Sequence, residues 1–138
     1  MNIIYGNIRG IGNNESRIAL SELYRVNRPS LIFIAEPMVP YDSIPPLYWR
    51  SIHVTKYVVN SRDSLIPNLW AVWGSDCDFT VVFVSSQCLV LEHICRGIKV
   101  YIASVYANKS YILRRQLWAD LTSLHNTYQA PWIFLGGF

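Results

Sequence analysis

Charged side chains are scarce in this chain. Asp, Glu, Lys and Arg make up 15% of its 138 residues, against about 25% in an ordinary soluble domain. With 51% hydrophobic residues and a net charge of only +3, the sequence is far from the polar, highly charged composition of disorder. That mild charge permits nucleic-acid binding without arguing for it. Long apolar runs are missing as well. Stretches such as Leu31-Ile32-Phe33-Ile34-Ala35 and Val81-Val82-Phe83-Val84 fall well short of the roughly 18 residues of a membrane span, so no membrane partner is expected. The N-terminus lacks the basic start and apolar centre of a signal peptide. Cysteine is limited to Cys77, Cys88 and Cys95, with no C-x-x-C spacing. That excludes an ordinary structural zinc site and a disulfide framework, and predicts buried, reduced thiols in an intracellular protein. There is no internal repeat, low-complexity tract or linker, and the length fits one domain or part of one.

What is present is an alternation of strand and helix signals. Asn2–Asn7 reads as a strand, and Gly10, Gly12, Asn13 and Asn14 break it. A helix is predicted over Glu15–Asn27, capped by Asn13 or Asn14, with Ile18, Leu23 and Val26 near helical spacing and Pro29 ending it. Leu31–Glu36 is a continuous apolar run, as in a strand buried on both faces. Strand, helix and strand with short links form a βαβ unit, whose two strands are parallel. The middle is strand-like near His53–Asn60, Leu69–Gly74, Asp78–Val84, Cys88–His93 and Lys99–Asn108, and its spacing suggests an antiparallel meander. A second βαβ unit closes the chain. Val100–Tyr106 is its first strand. Ser110 caps a helix to about Asn126, with Leu113, Leu117, Leu121 and Leu124 on one face, and Pro131–Gly136 is its last strand. Trp70, Trp73, Trp118 and Trp132 fall on these patterns and are predicted in the core.

Sites in open α/β sheets form beyond the carboxyl ends of parallel strands. Those ends carry Asn7, Glu36, the Tyr106–Asn108 segment and Gly136-Gly137-Phe138. A carboxylate beside a carboxamide suits a hard cation such as magnesium, which takes few protein ligands and keeps its waters. His53 and His93 lie in the strand-rich middle. His125 falls at a helix C-terminus, where the dipole favours its charge. Lys109, Arg114 and Arg115 could touch nucleic acid, though a solvated helix face is the simpler reading.

The residues themselves then show a family likeness. The opening N-I-I-Y-G-N-I-R-G-I-G-N (Asn2–Asn13) resembles the start of the endonuclease/exonuclease/phosphatase family, specifically the apurinic-endonuclease-like domain of plant non-LTR retroelements, where a strand ending Ser-Trp-Asn leads into Val-Arg-Gly-Leu-Gly. The resemblance continues at Arg17–Leu20, at Pro29–Glu36, at Ser104–Asn108, at Arg114–Trp118 and at Pro131–Gly136, in the family's order. It implies a four-layer α/β sandwich of the deoxyribonuclease-I-like type and phosphodiester hydrolysis with Mg2+ or Mn2+. Carried over by position, Glu36 matches the metal ligand and Asn7 the Asn near metal and phosphate. Tyr106 matches a phosphate-contacting Tyr, and Asn108 is a looser match to a nearby Asn. DNA is the partner the resemblance implies, and a nuclear location follows if that ancestry applies.

The chain departs from the family pattern in several places. Gly6 stands where the Trp of Ser-Trp-Asn belongs. Gly136-Gly137-Phe138 stands where Gly-Asp-Phe-Asn belongs, so the water-positioning Asp is glycine. The family's remaining strands and its terminal Asp-His pair have no counterpart in residues 1–138, which are therefore expected to be the N-terminal portion of one such domain, C-terminally truncated. Three readings follow: a retroelement-type endonuclease fragment without activity as it stands, a non-catalytic nucleic-acid- or protein-binding remnant, or a relative acting on another phosphoester. A sheet left without its partner's strands is also expected to self-associate.

Overall fold

The computed structural model describes residues 1–137, which fall into two compact units, 1–77 and 78–137. Phe138, one of the strand-end residues named above, lies outside the described residues.

The first unit is a four-stranded sheet of order β1-β2-β4-β3. Strand β1 (Ile3–Asn7) and strand β2 (Leu31–Ala35) run parallel, joined by helix α1 (Asn14–Asn27), as the βαβ reading requires. Asn13 caps α1, its Oδ1 accepting the Ser16 N–H at 2.8 Å. Arg28 closes the helix in the left-handed region, its N–H donating to the Tyr24 carbonyl at 2.8 Å. The residue ahead of Pro29 is thus outside the helical region that proline disfavours there. All five residues of β2 are buried, and its neighbour β4 (Leu69–Trp73) pairs antiparallel with it, Leu31 opposite Trp73 and Ala35 opposite Leu69. Strand β3 (Lys56–Val59) completes the sheet beside β4. Ile32, Ile34, Trp70 and Val72 share a core with Leu20, Ile44, Trp49 and Ile52.

The second unit is a sheet of order β5-β6-β7-β8. Strands β5 (Thr80–Val84), β6 (Cys88–Cys95) and β7 (Ile98–Tyr106) are an antiparallel meander, and helix α3 (Tyr111–Thr127) leads to β8 (Trp132–Gly137), parallel to β7. Cys88, Val90, Ala103 and Val105 pack on Leu117 and Leu121 of α3. The meander is therefore shorter than the sequence suggested. β3 and β4 belong to the first sheet, because β4 pairs with β2 rather than with its successor.

Three packing expectations are corrected. The inward face of α1 is not the Ile18–Leu23–Val26 stripe, which is exposed, but Leu20 with the half-buried Arg17, Ser21 and Tyr24. That face is partly polar because Tyr48, from helix α2 (Pro46–Ser51), donates its hydroxyl to the Arg17 carbonyl at 2.8 Å and accepts from Ser21 Oγ at 3.4 Å. Trp118 is not in the core but 44% exposed, lining a cavity with Leu121 and Phe134. Of the cysteines, Cys88 is buried but Cys95 is exposed at the far end of β6, and all three are free thiols.

This difference is testable. Burial pushes the Cys88 thiol up to about 11, with a partial offset from the Ser85 hydroxyl 3.4 Å away. At pH 8 its reactive thiolate is then about one part in a thousand. Iodoacetamide on the native protein at that pH is expected to label Cys95 and spare Cys88, read by peptide mass mapping. Equal labelling would mean that β6 opens readily.

Candidate functional site

The first pair of residues sits where β1 and β2 end side by side. Asn7 is the last residue of β1 and pairs with Ala35, so Glu36 follows directly on the neighbouring parallel strand. Glu36 leaves the strand with φ of 53°. A left-handed conformation costs a side-chain-bearing residue about 1–2 kcal/mol, and here hydrogen bonds enforce it. The Glu36 N–H donates to the Asn68 carbonyl at 2.9 Å, and the Glu36 carbonyl accepts from Gly10 N–H at 2.8 Å. Ile8 N–H to Ala35 and Ile11 N–H to Pro37 lace the glycine-rich loop onto the same segment at 3.0 and 2.9 Å. Arg9, Gly10, Glu36 and Met38 all have positive φ at this end of the sheet. Such concentrations of strained backbone mark functional sites more often than plain connections.

Asn60 is a contributor that the sequence reading missed. It is 2% exposed. Its Oδ1 accepts the N–H groups of Asn68 and Leu69, both at 3.0 Å, and its Nδ2 donates to Asn68 Oδ1 at 2.7 Å. Asn60 thereby fixes the residue whose carbonyl holds the Glu36 N–H. The clue in the sequence is a pair of asparagines bracketing a loop, since Asn readily bonds nearby backbone. Asn60→Ala strands the buried Leu69 N–H, at about 1–3 kcal/mol, and leaves the half-buried Asn68 N–H without its partner at a smaller cost. The expected loss is about 2–4 kcal/mol in a urea titration.

The second pair closes β7. Tyr106, its last residue, is half-buried and donates its N–H to the Gln87 carbonyl at 2.8 Å. Asn108 is exposed, and its Oδ1 accepts the Ser110 N–H at 2.8 Å, an Asx turn that delivers the chain to the α3 cap. With that oxygen committed to the turn, the Asn108 side chain is better suited to donating from its NH2 group than to binding a cation. Gly137 stands opposite Tyr106 on β8. A Cβ built at Gly137 meets nothing within 4 Å, so the glycine is not required there for space.

The histidines are at the wrong ends. His53 lines a cavity of about 370 Å³ with Trp73 and Gly74, and Trp73 lies opposite the first residue of β2, not its last. His93 pairs with Val100, about 20 Å along β7 from Tyr106 at about 3.3 Å per residue. The His125 ring lies tilted against Trp132, their centroids 6.0 Å apart, and Trp132 pairs with Tyr101, again toward the far end of β7. Among the described residues no three His, Cys, Asp or Glu side chains group as metal ligands. The donor set at Asn7 and Glu36 is a carboxamide and a carboxylate, both hard oxygen groups. Two such ligands fit an ion that keeps most of its waters, as Mg2+ does, and do not fit one needing a full protein cage.

No protein-family model matches the chain, and no curated protein matches its sequence. Solved structures do share its fold. The endonuclease domain of TRAS1, a telomere-specific non-LTR retrotransposon, is 14% identical with a TM-score of 0.68, over 97% of this chain and 58% of that one. An AP endonuclease from Archaeoglobus fulgidus is 15% identical with a TM-score of 0.66, over 99% and 56%. The 3′ phosphatase NExo from Neisseria, bound to a product DNA hairpin, is 17% identical with a TM-score of 0.63, over 100% and 57%. The chain thus spans 56–58% of the length of these structures. The fold is the α/β, two-sheet fold of the deoxyribonuclease-I-like nucleases, and no helix among the described residues is long and apolar enough to cross a membrane.

Proposed function

We propose that residues 1–138 are the N-terminal portion of one endonuclease/exonuclease/phosphatase domain of the retroelement-endonuclease kind, and that this portion recognises nucleic-acid phosphate and a divalent ion without hydrolysing the phosphodiester. In this reading Glu36 and Asn7 hold Mg2+ or Mn2+, while Tyr106 and Asn108 donate hydrogen bonds to DNA phosphate. The observation that carries it is the adjacency of Asn7 and Glu36 at the ends of paired parallel strands, with Glu36 pinned in a strained backbone conformation. When bound, such an ion would polarise a phosphoryl oxygen and steady the leaving oxygen. The reading as a non-catalytic DNA-binding remnant gains from Gly137 beside Tyr106 and from the distant histidines. Mn2+ added to the 15N-labelled chain is expected to broaden amide signals at 7–10 and 35–37 at millimolar concentration, an effect lost in Glu36→Gln. Broadening centred elsewhere, or unchanged by the substitution, would remove Glu36 from the role.

Self-association is the second part of this reading. β8 is an edge strand whose Ile133 and Phe134 are 39% and 44% exposed, and unpaired edges template pairing with another chain. Elution volume in size-exclusion chromatography is expected to fall with rising concentration, and Phe134→Lys to reverse this. A concentration-independent monomer would exclude it.

A further inference from the structure

We propose that the Gln87 side chain is the positioning residue of the Tyr106–Asn108 loop, setting the geometry with which that loop meets phosphate. This rests on the phosphate-contact reading above. Gln87 is buried, 5% exposed, directly ahead of β6. Its carboxamide works in both directions. Oε1 accepts the Asn108 N–H at 2.8 Å, and Nε2 donates to the Leu113 carbonyl in the first turn of α3 at 2.7 Å. Asn108 Oδ1 accepts from Ser110, and Ser110 Oγ accepts the Leu113 N–H, so a closed circuit runs from 87 through 108 and 110 to 113 and back. The Tyr106 N–H is held by the Gln87 backbone carbonyl and survives any substitution there. The side chain therefore governs the loop after Tyr106 and the start of α3, not the pairing of β6 with β7.

A neutral carboxamide of this length supplies one acceptor and one donor at once. Gln87→Met keeps the volume and removes both bonds. Gln87→Glu keeps the acceptor for Asn108 but turns a carboxylate oxygen toward the Leu113 carbonyl. The full chain is followed by amide hydrogen exchange and by anisotropy of a short fluorescein-labelled single-stranded DNA in Mg2+. Losing one buried bond is worth about a tenfold change. Exchange at Asn108 is expected to rise about tenfold in Gln87→Met and less in Gln87→Glu, with Tyr106 unchanged. DNA affinity should fall about as much in Gln87→Met. Unchanged Asn108 exchange in Gln87→Met overturns the proposal. So does an equal rise at Tyr106 and Asn108, which would make Gln87 a general stabiliser only. A wild-type chain that binds no DNA overturns the phosphate-contact reading and the binding half of this proposal with it, while the exchange data still decide the positioning half.

Discussion

Gly136→Ala is expected to detach β8 from the second sheet and to abolish a cooperative transition in that unit. Gly136 pairs with Val105 and has φ of 134°, and a Cβ built on it lies 1.9 Å from the Val105 carbonyl oxygen and 2.9 Å from its carbon. The obstacle is backbone of the paired strand, so no rotamer change relieves it. The φ alone costs about 1–3 kcal/mol, and forcing atoms into an occupied site adds about 1–3 more. Together, at about 2–6 kcal/mol, they reach the lower end of a typical domain's stability, about 5–15 kcal/mol. Urea titration followed by the amide NMR signals of β8, Trp132–Gly137, measures this directly. Gly97→Ala is the control. Its φ of 80° also favours glycine, but a Cβ there meets nothing within 4 Å, so only about 1 kcal/mol is expected. A loss at Gly136 no larger than at Gly97 would mean that β8 does not hold this register.

The same glycine shows how far the sequence could be read. Pro131–Gly136 was legible as a strand because its apolar residues run together between turn residues. The need for glycine at its end arises from one carbonyl on β7, a contact between distant segments that local pattern does not encode. The βαβ units were legible for the opposite reason. Asn13, Pro29 and Ser110 act on their own neighbours, and capping chemistry is local. The α1 face was misread because Arg17 and Ser21 turn inward to meet Tyr48, so burial there follows a tertiary hydrogen bond rather than hydropathy. At the candidate site, Asn7 and Glu36 were found because strand ends can be located from pattern and parallel pairing makes them neighbours. Gln87 and Asn60 were not found. Each is a single polar residue in a turn region, and its partners are distant backbone groups that only the folded chain brings to it.

Incubated with supercoiled or abasic DNA in Mg2+ or Mn2+, the chain is expected to release no detectable product. Hydrolysis needs groups that orient water and move a proton, and one positioned acid or base is worth about 10²–10⁴ in rate. Tyr106 stands beside Gly137, where the family resemblance sets a carboxylate. The histidines of the second unit lie toward the other end of β7, and His53 lies at the end of the first sheet away from Glu36. Gly137→Asp separates these two deficits. A side chain at 137 has open space, so the substitution is expected to leave the urea midpoint within the spread of ordinary surface changes, about 0.5 kcal/mol. It returns a carboxylate beside Tyr106 but no histidine, and cleavage is expected to stay below detection. Nicking by the wild-type chain that disappears in Glu36→Ala would overturn the expectation outright. Nicking that appears only in Gly137→Asp would show that the glycine alone limits the reaction and that no histidine is needed.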